Sequence, residues 1–107
     1  IAAHTRIIHQ LEEIGDAFAV LAEELAQIKK TDIKTTILIK KLNELFALFF
    51  DTYYTPTKER ICNTYSLRAE IKKEIKKQKK TEITNSIKII ADKIMDALSS
   101  KVLIELN

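Results

Sequence analysis

The sequence predicts an all-α fold, an antiparallel up-down-up-down four-helix bundle, and three observations predict it. One glycine and one proline in 107 residues leave almost no places for the tight reversals of a sheet protein. Apolar residues recur at alternating intervals of three and four along most of the chain, the period of a helix with one buried face. The joins between these periodic segments are short, which makes successive helices antiparallel neighbours. The alternative arrangement is a three-helix bundle with the first helix docked separately or swapped between chains.

The first element carries Ile7, Leu11, Ile14, Phe18, Leu21, Leu25 and Ile28 at helical spacing, predicting a helix over residues 3–29. Lys29 and Lys30 then put positive charge at its C-terminal end, where the helix dipole favours it. Asp32, ahead of Thr31 as a carboxylate near free N–H groups, is expected to cap a second helix over 33–54. The apolar positions of that helix span more than one face, which calls for two neighbours. Phe46, Phe49, Phe50, Tyr53 and Tyr54 within it are read as packing at one end of the bundle ahead of an aromatic ligand cage, and Leu38, Leu45, Phe46, Phe49, Phe50 and Tyr53 as the alternative face for another subunit.

Thr55-Pro56 is the clearest break, with threonine as cap and proline in the first turn of a third helix reaching about residue 79. Its apolar side is Ile61, Thr64 or Tyr65, Leu67, Ile71 and Ile75. Thr81 can cap a fourth helix with Glu82 in its first turn. Ile83, Ile87, Ile90, Ala91, Ile94, Leu98 and Val102 form its apolar face, and Leu103, Ile104 and Leu106 pack its end.

The length suits one domain with one modest core. Because residue 1 is Ile and an amphipathic helix starts almost at once, the expectation is a chain excised from a longer protein. The lone Cys62 excludes an intrachain disulfide and is expected as a small buried side chain, which suits a reducing, cytoplasmic setting. The greasiest segment, residues 45–54, is interrupted by Asp51 and too short to cross a bilayer.

The net charge of +3 comes mainly from Lys72, Lys73, Lys76, Lys77, Lys79 and Lys80. Glu70 and Glu74 offer local pairing to part of that run. A single arginine, Arg68, and no interleaved aromatics argue against nucleic-acid recognition there. Glycine-rich phosphate loops are missing, as is a HExxH string, and His4 and His9 have no nucleophile arrangement around them. The chain is therefore not expected to be an enzyme.

Glu12 and Asp16 are four apart on the first helix, as are Asp92 and Asp96 on the last. Carboxylates one turn apart can share a cation such as iron, zinc, manganese or magnesium. At about 100 degrees per residue both pairs fall toward the polar side, so any such cation belongs on the bundle surface. Glu70 and Glu74 repeat the spacing on the third helix. In a hairpin turning near Thr81, Glu70 stands at about the height of Asp92, making these two residues auxiliary ligands.

Leu11-Glu12-Glu13-Ile14-Gly15-Asp16, within residues 6–24, resembles the signature helix of the PhoU family of phosphate-uptake regulators. Glu12 and Asp16 match that family's acidic pair, whereas Glu13 stands where arginine is usual and Ala17 where histidine is frequent. Ile90 through Ala97 reads as a degraded second copy, in which Asp92 and Asp96 match the acidic pair, Lys93 keeps the positive charge and Met95 replaces glycine. The resemblance implies the closing helix of one repeat followed by a full three-helix repeat. It implies a regulatory adaptor of phosphate uptake and phosphate signalling that contacts a membrane phosphate transporter and a sensor histidine kinase. It also implies iron or zinc on the acidic motifs, and a cytoplasmic protein working peripherally at the inner face of the membrane. A homo-oligomer is expected; the competing readings are a metal-free oligomerisation bundle and an electrostatic binder acting through residues 72–80.

Overall fold

A computed structural model describes the backbone of residues 2–106 and the side chains of residues 5–104. The helices are α1 (Ala2–Gln27), α2 (Ile33–Tyr54), α3 (Lys58–Lys77) and α4 (Glu82–Leu106). The expected packing of Leu106 and the surface placement of His4 fall outside the described side chains.

Local chemistry sets the boundaries. Asp32 caps α2, its Oδ1 accepting from the Thr35 N–H at 2.7 Å. Thr81 caps α4 in a reciprocal pair: its Oγ1 accepts from the Thr84 N–H at 3.2 Å, and the Thr84 hydroxyl accepts from the Thr81 N–H at 2.9 Å. The expectation for Thr55-Pro56 needs correcting. Thr55 closes α2 by donating its N–H to the Asp51 carbonyl at 3.0 Å, and Thr57 caps α3 by accepting from the Arg60 N–H at 3.1 Å. The proline ring disfavours helical geometry at the residue before it, so Pro56 ends one helix and does not begin the next. Likewise α1 stops at Gln27, leaving Lys29 and Lys30 beyond it.

Paired residues fix the directions. Glu13 meets Lys93 and Glu24 meets Ser86, so α1 and α4 run antiparallel. Thr52 meets Thr64 and Lys41 meets Glu70, so α2 and α3 do the same. Arg68 with Asp92, and Tyr65 with Ser99, reverse α4 against α3. The result is an all-α bundle of four helices, but sequence order does not set its neighbours. Backbones of α2, α3 and α4 approach one another mutually, while α1 lies along α4; among the described residues no Cα of α1 comes within 8 Å of α2 or α3. Contact between α1 and α2 is made by long side chains such as Phe18, whose ring meets Phe46 edge-on at 5.2 Å.

The hub is α4. Ile87, Ile90, Ala91, Ile94, Met95, Ala97 and Leu98 are all buried, a stripe wide enough to serve three neighbours. Ile14 and Leu21 of α1 join the same core as Leu38, Leu42, Leu45 and Phe49 of α2 and Leu67 and Ile71 of α3. One polar contact lies inside it: the Thr52 and Thr64 hydroxyls are 3.2 Å apart, each also 2.7 Å from the carbonyl four residues earlier. Of the two alternatives on α3, Thr64 is the buried one and Tyr65 is exposed. Cys62, expected inside, is exposed; it falls on the side of α3 turned from Thr64 and Leu67, which do reach the core. Among the described residues no helix is long and apolar enough to cross a membrane.

Candidate functional site

The two acidic strings, nearly 80 positions apart in sequence, lie side by side where α1 packs on α4. Lys93 Nζ is 3.0 Å from Glu13 Oε2, and His9 Nε2 is 2.9 Å from Glu13 Oε1. The hydrogen bond and charge of Lys93, with a lesser contribution from His9, hold the Glu13 carboxyl below its ordinary value. About three turns further along α1, the Ser86 hydroxyl donates to Glu24 Oε1. These two bonds tie the helices along their outer edge.

Between them opens a hollow of about 350 Å³, lined by Glu13, Asp16, Ala17 and Val20 of α1 and by Ser86, Ile89 and Lys93 of α4. Its floor is apolar and its rim carries both signs of charge. Val20 and Ile89 stand 51% and 41% exposed, so two aliphatic side chains face solvent at the centre of a polar surface. That arrangement can seat one apolar side chain of a partner while the rim pairs with that partner's charges.

The expected metal ligands divide among several surroundings. Asp16 reaches the hollow's rim, whereas Glu12 and Asp96 are simply exposed. Asp92 turns the other way, accepting from Arg68 Nη2 at 3.0 Å. Glu70 is exposed with Lys41 at 3.9 Å, and Glu74 lies 3.7 Å from Lys77. Glu70 does stand near the height of Asp92, but Arg68 occupies the space between the helices there. Among the described residues no three His, Cys, Asp or Glu side chains gather as a cation site. The four-residue spacing puts carboxylates on one side of a helix, but it does not decide which neighbouring helix that side meets.

The expected interface residues are also redistributed. Leu38, Leu45 and Phe49 are buried in this chain's own core, so they cannot meet another subunit unless the bundle opens. Phe46 and Tyr53 are half-buried, with Lys101 Nζ 4.8 Å above the Tyr53 ring. Phe50 stays 42% exposed. Sequence reasoning missed Val20, Ile89, Ser86 and the Glu13–Lys93 bond. A signal for the bond existed, since Glu13 reverses and Lys93 retains the positive charge of the resembled motif; those opposite charges meet across the seam. Comparison with protein-family models, with curated proteins and with solved structures finds no match for this chain.

Proposed function

We propose that the chain is a regulatory adaptor of the phosphate-uptake-regulator type, acting through protein–protein contact on the outer α1–α4 face. The observation that carries this reading is the meeting of the two motif strings across one seam, joined by Glu13 and Lys93 around an apolar-floored hollow. The partners are those the resemblance implies, a membrane phosphate transporter and a sensor histidine kinase, and the chain works as a cytoplasmic, non-enzymatic binder at the inner membrane face. A surface cation of the iron or zinc type belongs to this reading as a ligand shared with the partner. Glu12 with Asp16, or Asp96 alone while Arg68 holds Asp92, would supply one or two carboxylates and the partner or water the rest.

The test is binding of the purified chain to the phosphate transporter of its own source in nanodiscs, and separately to the kinase. Val20→Glu with Ile89→Glu should weaken that binding about tenfold or more, the effect of losing a buried apolar anchor. Absence of binding by the unaltered chain to both partners overturns the proposal. A second reading, a metal-free oligomerisation bundle, draws on Phe50 and Tyr54, whose exposed rings stack 5.9 Å apart at one end of α2. A strictly monomeric chain in sedimentation at high concentration removes it.

A further inference from the structure

The lysine run divides into two columns with different surroundings. Lys73 and Lys77 each follow a glutamate by three positions, Glu70 and Glu74, and Lys77 sits 3.7 Å from Glu74. Lys72 and Lys76 have no acidic residue three or four positions away on either side, and Lys80 continues their column into the turn. A column of like charges one turn apart works against its own helix, so its placement needs a reason beyond solvation.

This unpartnered column lines a cleft. Between the end of α3 and the start of α4 lies a cavity of about 710 Å³, walled by Lys72, Lys76 and Lys80 on one side and Lys88 on the other. Among the described residues none of these four lysines lies within 4 Å of a carboxylate. The carboxylate closest in sequence to Lys88, Asp92, is already held by Arg68 at 3.0 Å. Glu82 is the single acid on the wall. A smaller hollow of about 250 Å³ continues the cleft toward the Arg68–Asp92 pair, sharing Lys72, Lys88 and the half-buried Ile75, with the core residues Ile71 and Ala91 beneath.

We infer that this α3–α4 cleft is a binding site for a nucleotide-class polyphosphate, an anion of several charges joined to a flat, largely apolar group. Four exposed lysines line a space of small-ligand size, each carrying a point charge with rotatable donors suited to phosphate oxygens. Ile75, half-buried where the two hollows join, gives an apolar contact to the flat group that inorganic phosphate lacks. A bounded concave site between two helices favours this occupant over a bilayer, which cannot enter it, and over single-stranded nucleic acid, which needs a groove that follows its backbone over several nucleotides. The site is separate from the α1–α4 hollow and does not depend on the regulatory reading.

Calorimetric titration of the full chain with metal-free ATP tests it. Saturable one-to-one binding that weakens with added salt is expected. The variant Lys72→Gln/Lys76→Gln/Lys88→Gln should weaken binding about tenfold or more, while Lys73→Gln/Lys77→Gln/Lys79→Gln, which removes the same charge, stays within about twofold. Circular dichroism of both variants checks that the helices persist. Equal losses in the two variants, or no saturation at millimolar ATP, overturns the inference. So does inorganic triphosphate binding as tightly as ATP, or attachment to phosphatidylglycerol vesicles that ATP does not displace.

Discussion

The mutually packed helices α2, α3 and α4 differ from α1, which is held along one seam. Within the trio every helix approaches the other two, so the space between them is walled by three backbones. By contrast α1 leans its backbone on α4 and reaches α2 by side chains such as Phe18. Similar burial, 1% exposure at Ile14 and 0% at Ile94, therefore has different structural consequences. A void in the trio has walls fixed on all sides, whereas a void on the seam can shrink as α1 shifts toward α4.

The strongest break of that comparison is a pair of truncations. Ile94→Ala should cost about 3–5 kcal/mol in denaturant unfolding and lower protection across all helices, while Ile14→Ala costs about 2–3 kcal/mol. Hydrogen exchange should then show the Ile14→Ala chain losing protection in α1 ahead of α2 and α3, as a cooperative unit of lower stability. Equal loss across the four helices would make the seam as integral as the trio and sink the distinction.

A smaller effect sharpens the interior of the trio. Thr64→Val keeps the shape but removes one buried hydroxyl together with its contact to Thr52, whose own hydroxyl still donates to the Leu48 carbonyl, at a cost of about 0.5–1.5 kcal/mol. Adding Thr52→Val should cost less than Thr52→Val does alone, because the contact between the two hydroxyls is already gone. Thermal and urea unfolding of the two single variants and the double variant checks the sign.

The smallest effect belongs to the seam's exposed edge. Because Lys93 lowers the native Glu13 carboxyl, the unfolded chain binds more protons than the native one just below the ordinary value of 4.5. The pair's contribution is present in full above that value and is lost as pH falls from about 4.5 through the lowered native value. Glu13→Gln should therefore lower the protection of α1 slightly at pH 7 and make no difference in strong acid. A gap between the two proteins that widens on acidification would contradict the geometry.

Much of the fold was legible from the residues. Asp32 and Thr81 announced their helices because capping is a bond between a side chain and an amide two or three residues away. The apolar period placed Ile14, Leu21, Ile71 and Ile94 in the core for a similar reason. Pro56 was placed correctly as a break but on the wrong helix, because its effect on the preceding residue outweighed its own aptitude for a first turn. The candidate site was legible only in part. Asp16 and Lys93 were singled out, yet Ile89 and Val20 lie outside both apolar stripes and acquire meaning through each other.

The sequence by itself determined where the helices start and stop and which side of each is apolar, since hydrogen bonds, caps and the 3.6-residue period act within a few positions. Tertiary structure decided which helices become neighbours. That choice placed α4 at the hub, brought Glu13 to Lys93, sent Asp92 to Arg68 and turned Lys72 and Lys76 toward Lys88. The physical reason is that burial is non-directional: an apolar stripe specifies that it must be covered, and the covering helix is selected by all four stripes together.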